Sequence, residues 1–196
     1  MTDRREVESL LSAGEMRGRA WALERARGGE WLGAAPRDLD LLDLHREMFG
    51  DFLAWAGSTR TEDRGPGGRV PVPFPLVRSA LRDWGADLAV WVASARDATV
   101  ESMAEVIADA HHRLQWIHPF HDTNGRTGRV VDHYLLWVTF GLHSDTLQAS
   151  PSIEYFPTEQ HEGEYYDGLV EADGGRPGRL RRFYGERLLA CLSSVQ

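Results

Sequence analysis

Three observations predict an all-α fold for this 196-residue chain. Apolar residues recur at three- and four-residue spacing through most of it, the period of a helix with one buried face. No internal repeat or low-complexity block breaks the series. The one long interruption, Ser58 to Pro75, holds Gly65-Pro-Gly-Gly68 and then prolines 71, 73 and 75. Prolines at alternate positions exclude a helix and a central strand but allow an extended edge segment, so the stretch reads as a loop or short flap.

The elements follow in order. Residues 1–36 read as an N-terminal helical extension, with one helix at Arg4 to Leu11 and another around Arg17 to Ala26, ahead of a domain over 37–196. From Pro36, the spacing of Leu39, Leu42, His45 or Arg46, Phe49 and Leu53 predicts a helix that Trp55-Ala-Gly57 ends. Leu76 to Val92 resumes the helical period through Leu81, Trp84, Leu88 and Trp91. Thr99 to Ile117 places Val106 or Ile107, Ala110, Leu114 and Ile117 on one face. Pro119 must then redirect the chain, so His118 sits at a helix exit. Asp122-Thr-Asn-Gly125 is a turn, and Arg126 to Gly141 is an almost wholly apolar helix of the kind that lies at the centre of a bundle. Helices around Thr158 to Ala172 and Gly178 to Leu192 complete the chain.

Composition narrows the function. Seven Trp and seven Phe with 42% hydrophobic residues describe a globular core, and no window approaches the ~20 apolar residues of a membrane span. The formal net charge of −8 argues against a broad nucleic-acid-binding surface, which needs excess Lys and Arg. The N-terminus has no signal-peptide pattern, and the single cysteine suits a reducing compartment; a cytoplasmic location is expected. The arginine run from Arg176 to Arg187 reads as a solvated helix face.

The chemistry is concentrated in twelve residues, His118 to Arg129. A turn opening onto a buried helix offers free backbone N–H groups at the positive end of the helix dipole, an anion site. Gly125 is read as supplying positive-φ freedom and room for a ligand oxygen. Arg126 and Arg129 share one helical face and can grip further phosphate oxygens with planar forks. Asp122 can hold Mg²⁺ bridging phosphates, and His118 can take a proton from an incoming hydroxyl near neutral pH.

The string His118-Pro-Phe-His-Asp-Thr-Asn-Gly-Arg-Thr-Gly-Arg129 resembles the signature of the Fic (filamentation induced by cAMP)/Doc family, His-x-Phe-x-Asp/Glu-Gly-Asn-Gly/Lys-Arg-x-x-Arg. It departs at Thr123, where the family usually has Gly. Leu44 to Arg60 and Ala104 to Ile117 resemble the family's upstream segment and pre-motif helix, and Met48-Phe49, Trp55-Ala-Gly57 and His111-His112 resemble its mobile mystery protein B branch. The resemblance implies a Fic-type helical bundle with a short β-hairpin flap. It implies a protein adenylyltransferase moving AMP from ATP, with Mg²⁺, to a Ser, Thr or Tyr hydroxyl of a target protein, in the manner of a toxin-like module. It makes His118 the general base, Phe120 a buried anchor and Asp122 the Mg²⁺ ligand. Thr123, Asn124, Gly125, Arg126 and Arg129 become the ATP- and phosphate-binding set, and Val70, Val72 and Phe74 the flap that docks the target as an added strand. Gly125 rather than Lys sets the chain with the adenylyltransferases instead of the Doc kinases.

Many members of the family carry an inhibitory Ser/Thr-x-x-x-Glu-Gly/Asn helix whose glutamate pairs with the last arginine. No such string lies in residues 1–35; Thr158-Glu-Gln-His-Glu162-Gly163 matches it inside an expected core helix. A separate antitoxin chain is therefore the expected inhibitor. Three other readings stand beside this one: an impaired Fic scaffold that only binds; transfer of UMP or phosphocholine, or AMP removal; and an HD-type metal phosphohydrolase drawing on His111-His112, His121-Asp122 and Asp132-His133.

Overall fold

The computed structural model describes residues 3–28, 35–65, 71–95 and 97–193. Its helices are α1 (Arg4–Gly28), α2 (Asp38–Phe49), α3 (Val77–Ser94), α4 (Val100–Ile117), α5 (Asn124–Tyr134), α6 (Glu159–Asp173) and α7 (Gly178–Ser193). A single wide π-helical segment, Leu135–Thr139, prolongs α5. The central pair is α4 and α5. Helix α4 packs on α3, α5 and α7, and α1 lies across α2 and α5.

The sequence explains this arrangement. Helix α4 starts at Thr99, whose side chain accepts the Ser102 N–H at 3.2 Å, an N-cap that satisfies one otherwise unpaired donor. It stops at His118, whose left-handed φ of 50° closes the helix by donating its N–H to Leu114 O. Ile107, Ala108, Ala110, Ile117, Val130, Leu135, Leu136 and Trp137 have no exposed surface. A helix apolar all round belongs at the centre of a bundle, as expected from its composition. Gly128 sets how close α4 and α5 come, because a Cβ there would lie 2.4 Å from Gln115 Nε2.

Two expectations are corrected. The β-hairpin flap does not form, and no strand occurs among the described residues. Residues 71–73 run as extended coil into a 3-10 turn, Phe74–Leu76. The reason is donor chemistry. Prolines 71, 73 and 75 have no N–H, while Val72 N–H goes to Trp116 O at 3.3 Å, Phe74 N–H to Asp63 Oδ1 at 2.7 Å and Leu76 N–H to Pro73 O at 2.9 Å. No N–H between 71 and 76 is left to build a ladder. Val70 lies outside the described residues.

The second correction concerns the N-terminus. The two short helices expected there are one, Arg4–Gly28. Gly14 and Gly18, which count against a helix on propensity, are buried where α1 crosses α2 and α5. A Cβ on Gly14 would sit 2.6 Å from Met48 O, and one on Gly18 would meet Met48 Cγ at 2.7 Å and Val130 Cγ1 at 3.0 Å. With Ala22 and Ala26, also buried, they form a stripe of small residues at four-residue spacing. Close approach, not helix propensity, dictates that composition.

Candidate active site

The turn between α4 and α5 is closed by Asn124. Its Oδ1 accepts the Phe120 N–H and its Nδ2 donates to Phe120 O, both at 2.9 Å. Asn124 O in turn accepts from Gln115 Nε2 of α4 at 3.2 Å. The Phe120 ring is fully buried against the His45 ring, with centroids 3.6 Å apart. Phe120 is thus packed into the core at the centre of the turn. Both ends of the Asn124 amide are bonded to the loop, and its backbone N–H lies at the start of α5.

Helix α5 begins after Thr123, and its first intrahelical bond runs from Thr127 N–H to Thr123 O at 2.9 Å. The N–H groups of Asn124, Gly125 and Arg126 precede that bond and form the donor end of the helix dipole. The positive φ expected at Gly125 is found at Thr123 instead (65°). Gly125 is helical, and a Cβ on it would meet only Arg129 Nη1, at 3.8 Å. What it contributes is open space in front of the N–H groups.

These features border an open cleft of about 430 Å³. Its walls hold His118, His121, Asp122, Thr123, Asn124, Gly125, Arg126 and Arg129, together with Leu11, Arg64 and Gly65. Every residue that the sequence proposed for base, metal and phosphate binding therefore lies on one concavity. Val72 is buried away from it, and Phe74 is 40% exposed. Leu11 and Arg64 were not anticipated; Arg64 Nη1 donates to His121 O at 3.4 Å.

Behind the cleft stands the fully buried Arg60. Its guanidinium donates to His118 O at 2.7 Å, to Ile117 O at 3.3 Å, to Glu62 O at 2.9 Å and to Val72 O, while its backbone N–H donates to Pro119 O at 2.8 Å. Burial works to lower its pKa, and Asp63 beside it opposes that. The planar fork holds the His118 backbone and the Val72 backbone at once.

Across the cleft, α1 supplies carboxylates. Glu8 pairs with Arg126 at 2.5 Å and Glu15 with Arg129 at 3.2 Å. Burial works against the Arg129 charge, but Glu15 outweighs it and raises the pKa. The sequence did not single out either glutamate. The available signal was Glu15 beside Gly14 on the small-residue stripe, which places it where α1 meets α5. Glu162 lies exposed in the first turn of α6, and the carboxylate facing Arg129 comes from α1.

Asp122 is exposed on the rim, with Oδ1 accepting the Thr123 N–H at 2.6 Å. Among the described residues no group of three or more His, Cys, Asp or Glu side chains could hold a metal alone. A cation at Asp122 would draw most of its ligands from phosphates and water, which suits Mg²⁺. The histidines that suggested a phosphohydrolase are dispersed. His111 lies 2.8 Å from Asp132 in a fully buried cluster where Tyr155 and Tyr184 donate to Asp132, and His112 meets Asp173 at 2.9 Å.

Residues 38–136 match the Fic/DOC family. The chain belongs to this family. It is 32% identical over 148 residues to the protein adenylyltransferase Fic of Aedes aegypti, covering 75% of this chain and 26% of that protein. To the protein adenylyltransferase fic-1 of Caenorhabditis elegans it is 30% identical over 118 residues, covering 60% of this chain and 22% of that protein. The Fic/DOC chain thus spans about a quarter of the length of these curated relatives. Among solved structures, Fic-1 (residues 134–508) of C. elegans aligns with a TM-score of 0.65 at 22% identity, over 93% of this chain and 50% of that one. BepC of Bartonella tribocorum with bound AMPPNP aligns with a TM-score of 0.65 at 17% identity, over 95% and 88%. The Fic fold is shared, and no helix among the described residues is long and apolar enough to cross a membrane.

Proposed function

We propose that this chain is a protein adenylyltransferase: it moves AMP from ATP to a Ser, Thr or Tyr hydroxyl of a target protein. The observation that carries the reading is the single cleft joining His118, Asp122, the donor end of α5, Arg126 and Arg129. The relatives' names and the AMPPNP in BepC support it. In this reading His118 takes the proton of the target hydroxyl, whose oxygen bonds to the α-phosphorus as the bond to the leaving pyrophosphate breaks. The α5 N–H groups and the two arginines hold the phosphate oxygens and offset the charge that builds there. Mg²⁺ at Asp122 would neutralise phosphate charge. A cytoplasmic location belongs to the same proposal and rests on the single cysteine.

The target meets this chain differently from the strand addition inferred from sequence. The backbone donors of 71–76 are already used, whereas Phe74, Leu76 and Trp116 are 40%, 54% and 39% exposed. The Val72–Trp116 bond ties them to the stretch that leads into His118. Recognition at this rim therefore runs through apolar side chains.

Regulation is part of the reading. Both phosphate-binding arginines already hold carboxylates of α1, the pairing that the resemblance implies for an inhibitory glutamate, here made by a residue outside the expected string. The restraint is internal, and a separate antitoxin chain is a second source of the same effect. The test is transfer of label from α-³²P-ATP with Mg²⁺ to proteins of a cell lysate, by the intact chain, the E15G variant and E15G/H118A. Labelling by E15G that disappears in E15G/H118A supports the proposal; no labelling by any of them overturns it.

A further inference from the structure

Thr123 holds a left-handed conformation (φ 65°, ψ 9°) that a β-branched residue adopts only when its surroundings impose it. It is 7% exposed, and its hydroxyl is doubly engaged. Oγ1 donates to Asp122 O at 2.5 Å and lies 2.9 Å from His45 Nε2. Gly57 N–H donates to His45 Nδ1 at 2.8 Å, so Nδ1 carries a lone pair and the ring proton sits on Nε2. Nε2–H therefore donates to the Thr123 hydroxyl, whose own O–H donates to Asp122 O.

His45 is itself immobilised. It is fully buried, stacked on Phe120 with the planes 12° apart and on Trp55 at 5.5 Å, with Phe49 against its edge at 5.2 Å. Burial pushes its pKa down to about 3, so it stays neutral in one tautomer. It sits on α2, 78 residues before Thr123.

We propose that His45 is a positioning residue for the phosphate-binding turn: its Nε2–H holds the Thr123 hydroxyl, and so keeps a β-branched residue in the left-handed state that sets Asp122 and the α5 donors. Where a glycine would reach that state freely, this chain reaches it through a hydrogen bond from α2. His45 does not touch the nucleotide; it acts through Thr123.

The consequence for nucleotide binding rests on the function proposed above, while the coupling between His45 and Thr123 does not. The experiment is a double-mutant cycle in the E15G background, reading Mg·ATP affinity by calorimetry and the thermal midpoint of each variant. H45F keeps a stacking ring but loses both nitrogens, and T123V keeps the β-branch but loses the hydroxyl. Each should weaken Mg·ATP about tenfold, and T123S, which keeps the hydroxyl, should lose less affinity than T123V. In the T123G background the affinity penalty of H45F should shrink to about twofold or less, because glycine needs no support. The loss of the Gly57 partner is common to both backgrounds and cancels. An equal H45F penalty in both backgrounds, or unchanged binding in T123V, overturns the proposal. If the E15G parent binds no Mg·ATP, the function fails, and the cycle is decided by the thermal midpoints alone: a larger H45F loss with Thr than with Gly at 123 supports the coupling, and equal losses overturn it.

Discussion

The turn from His118 to Arg129 and helix α1 face each other across one cleft, yet they are held by different means. The turn is fastened by short, buried bonds: Asn124 to Phe120, Gln115 to Asn124 O, Arg60 to the His118 carbonyl, His45 to Thr123. Helix α1 approaches on small residues and reaches the cleft with two carboxylates, of which Glu8 is 62% and Glu15 17% exposed. Under the proposed function the first arrangement holds the catalytic turn, and the second is the set of contacts that ATP phosphates would displace. Rigidity and exchange thus sit on opposite walls of the same cleft.

That contrast can be broken from either side. The largest effect is expected on the fixed side, where H118A in the E15G background should lower label transfer by ~10²–10⁴-fold, the span for loss of a general base, with its thermal midpoint unchanged. N124A leaves the buried Phe120 N–H and C=O without partners and should cost ~2–3 kcal/mol, read by urea unfolding. Acid should loosen the same side. His45 and His133 are both buried with pKa values pushed down to about 3 by burial, His133 also by Arg19. Between their ordinary 6.5 and about 3 the unfolded chain binds protons that the native chain does not. Their part of the stability is thus whole above pH 6.5 and falls as pH drops, each by up to ~1.4 kcal/mol per unit. Unfolding followed from pH 7 to 5 should be less pH-dependent in H45F than in the parent. On the exchangeable side, E15Q should tighten Mg·ATP about tenfold by calorimetry, since it frees Arg129. E8Q should change it about twofold or less, because its carboxylate is mostly solvated.

The same division explains what the sequence made legible. His118, Asp122, Arg126 and Arg129 could be named because their chemistry lies within twelve consecutive residues and needs only a turn and a helix start. The helices from α2 to α7 were readable because each buries an apolar face. The Glu8 and Glu15 contacts were not: they depend on α1 crossing α5 at Gly14 and Gly18, and Gly14 falls in the gap between the two helices read there. The positive φ was assigned to Gly125 because glycine tolerates it. Thr123 takes it instead, for the tertiary reason that His45 reaches it from another helix. The hairpin failed on a count of donors that was open to reading, since the prolines are in the sequence, but the use of the Val72 and Phe74 N–H groups was not.

Arg60 has an electrostatic consequence beyond holding the backbone. The carbonyls of Ile117 and His118 end α4, and the unpaired carbonyls of a helix terminus carry partial negative charge. Left bare beside His118, they would repel the polyphosphate of the proposed reaction. The buried guanidinium covers that negative pole with a full positive charge. The cleft is thereby bordered by the attractive end of α5 and a neutralised end of α4, so two oppositely directed helices meet at one anion site without cancelling each other.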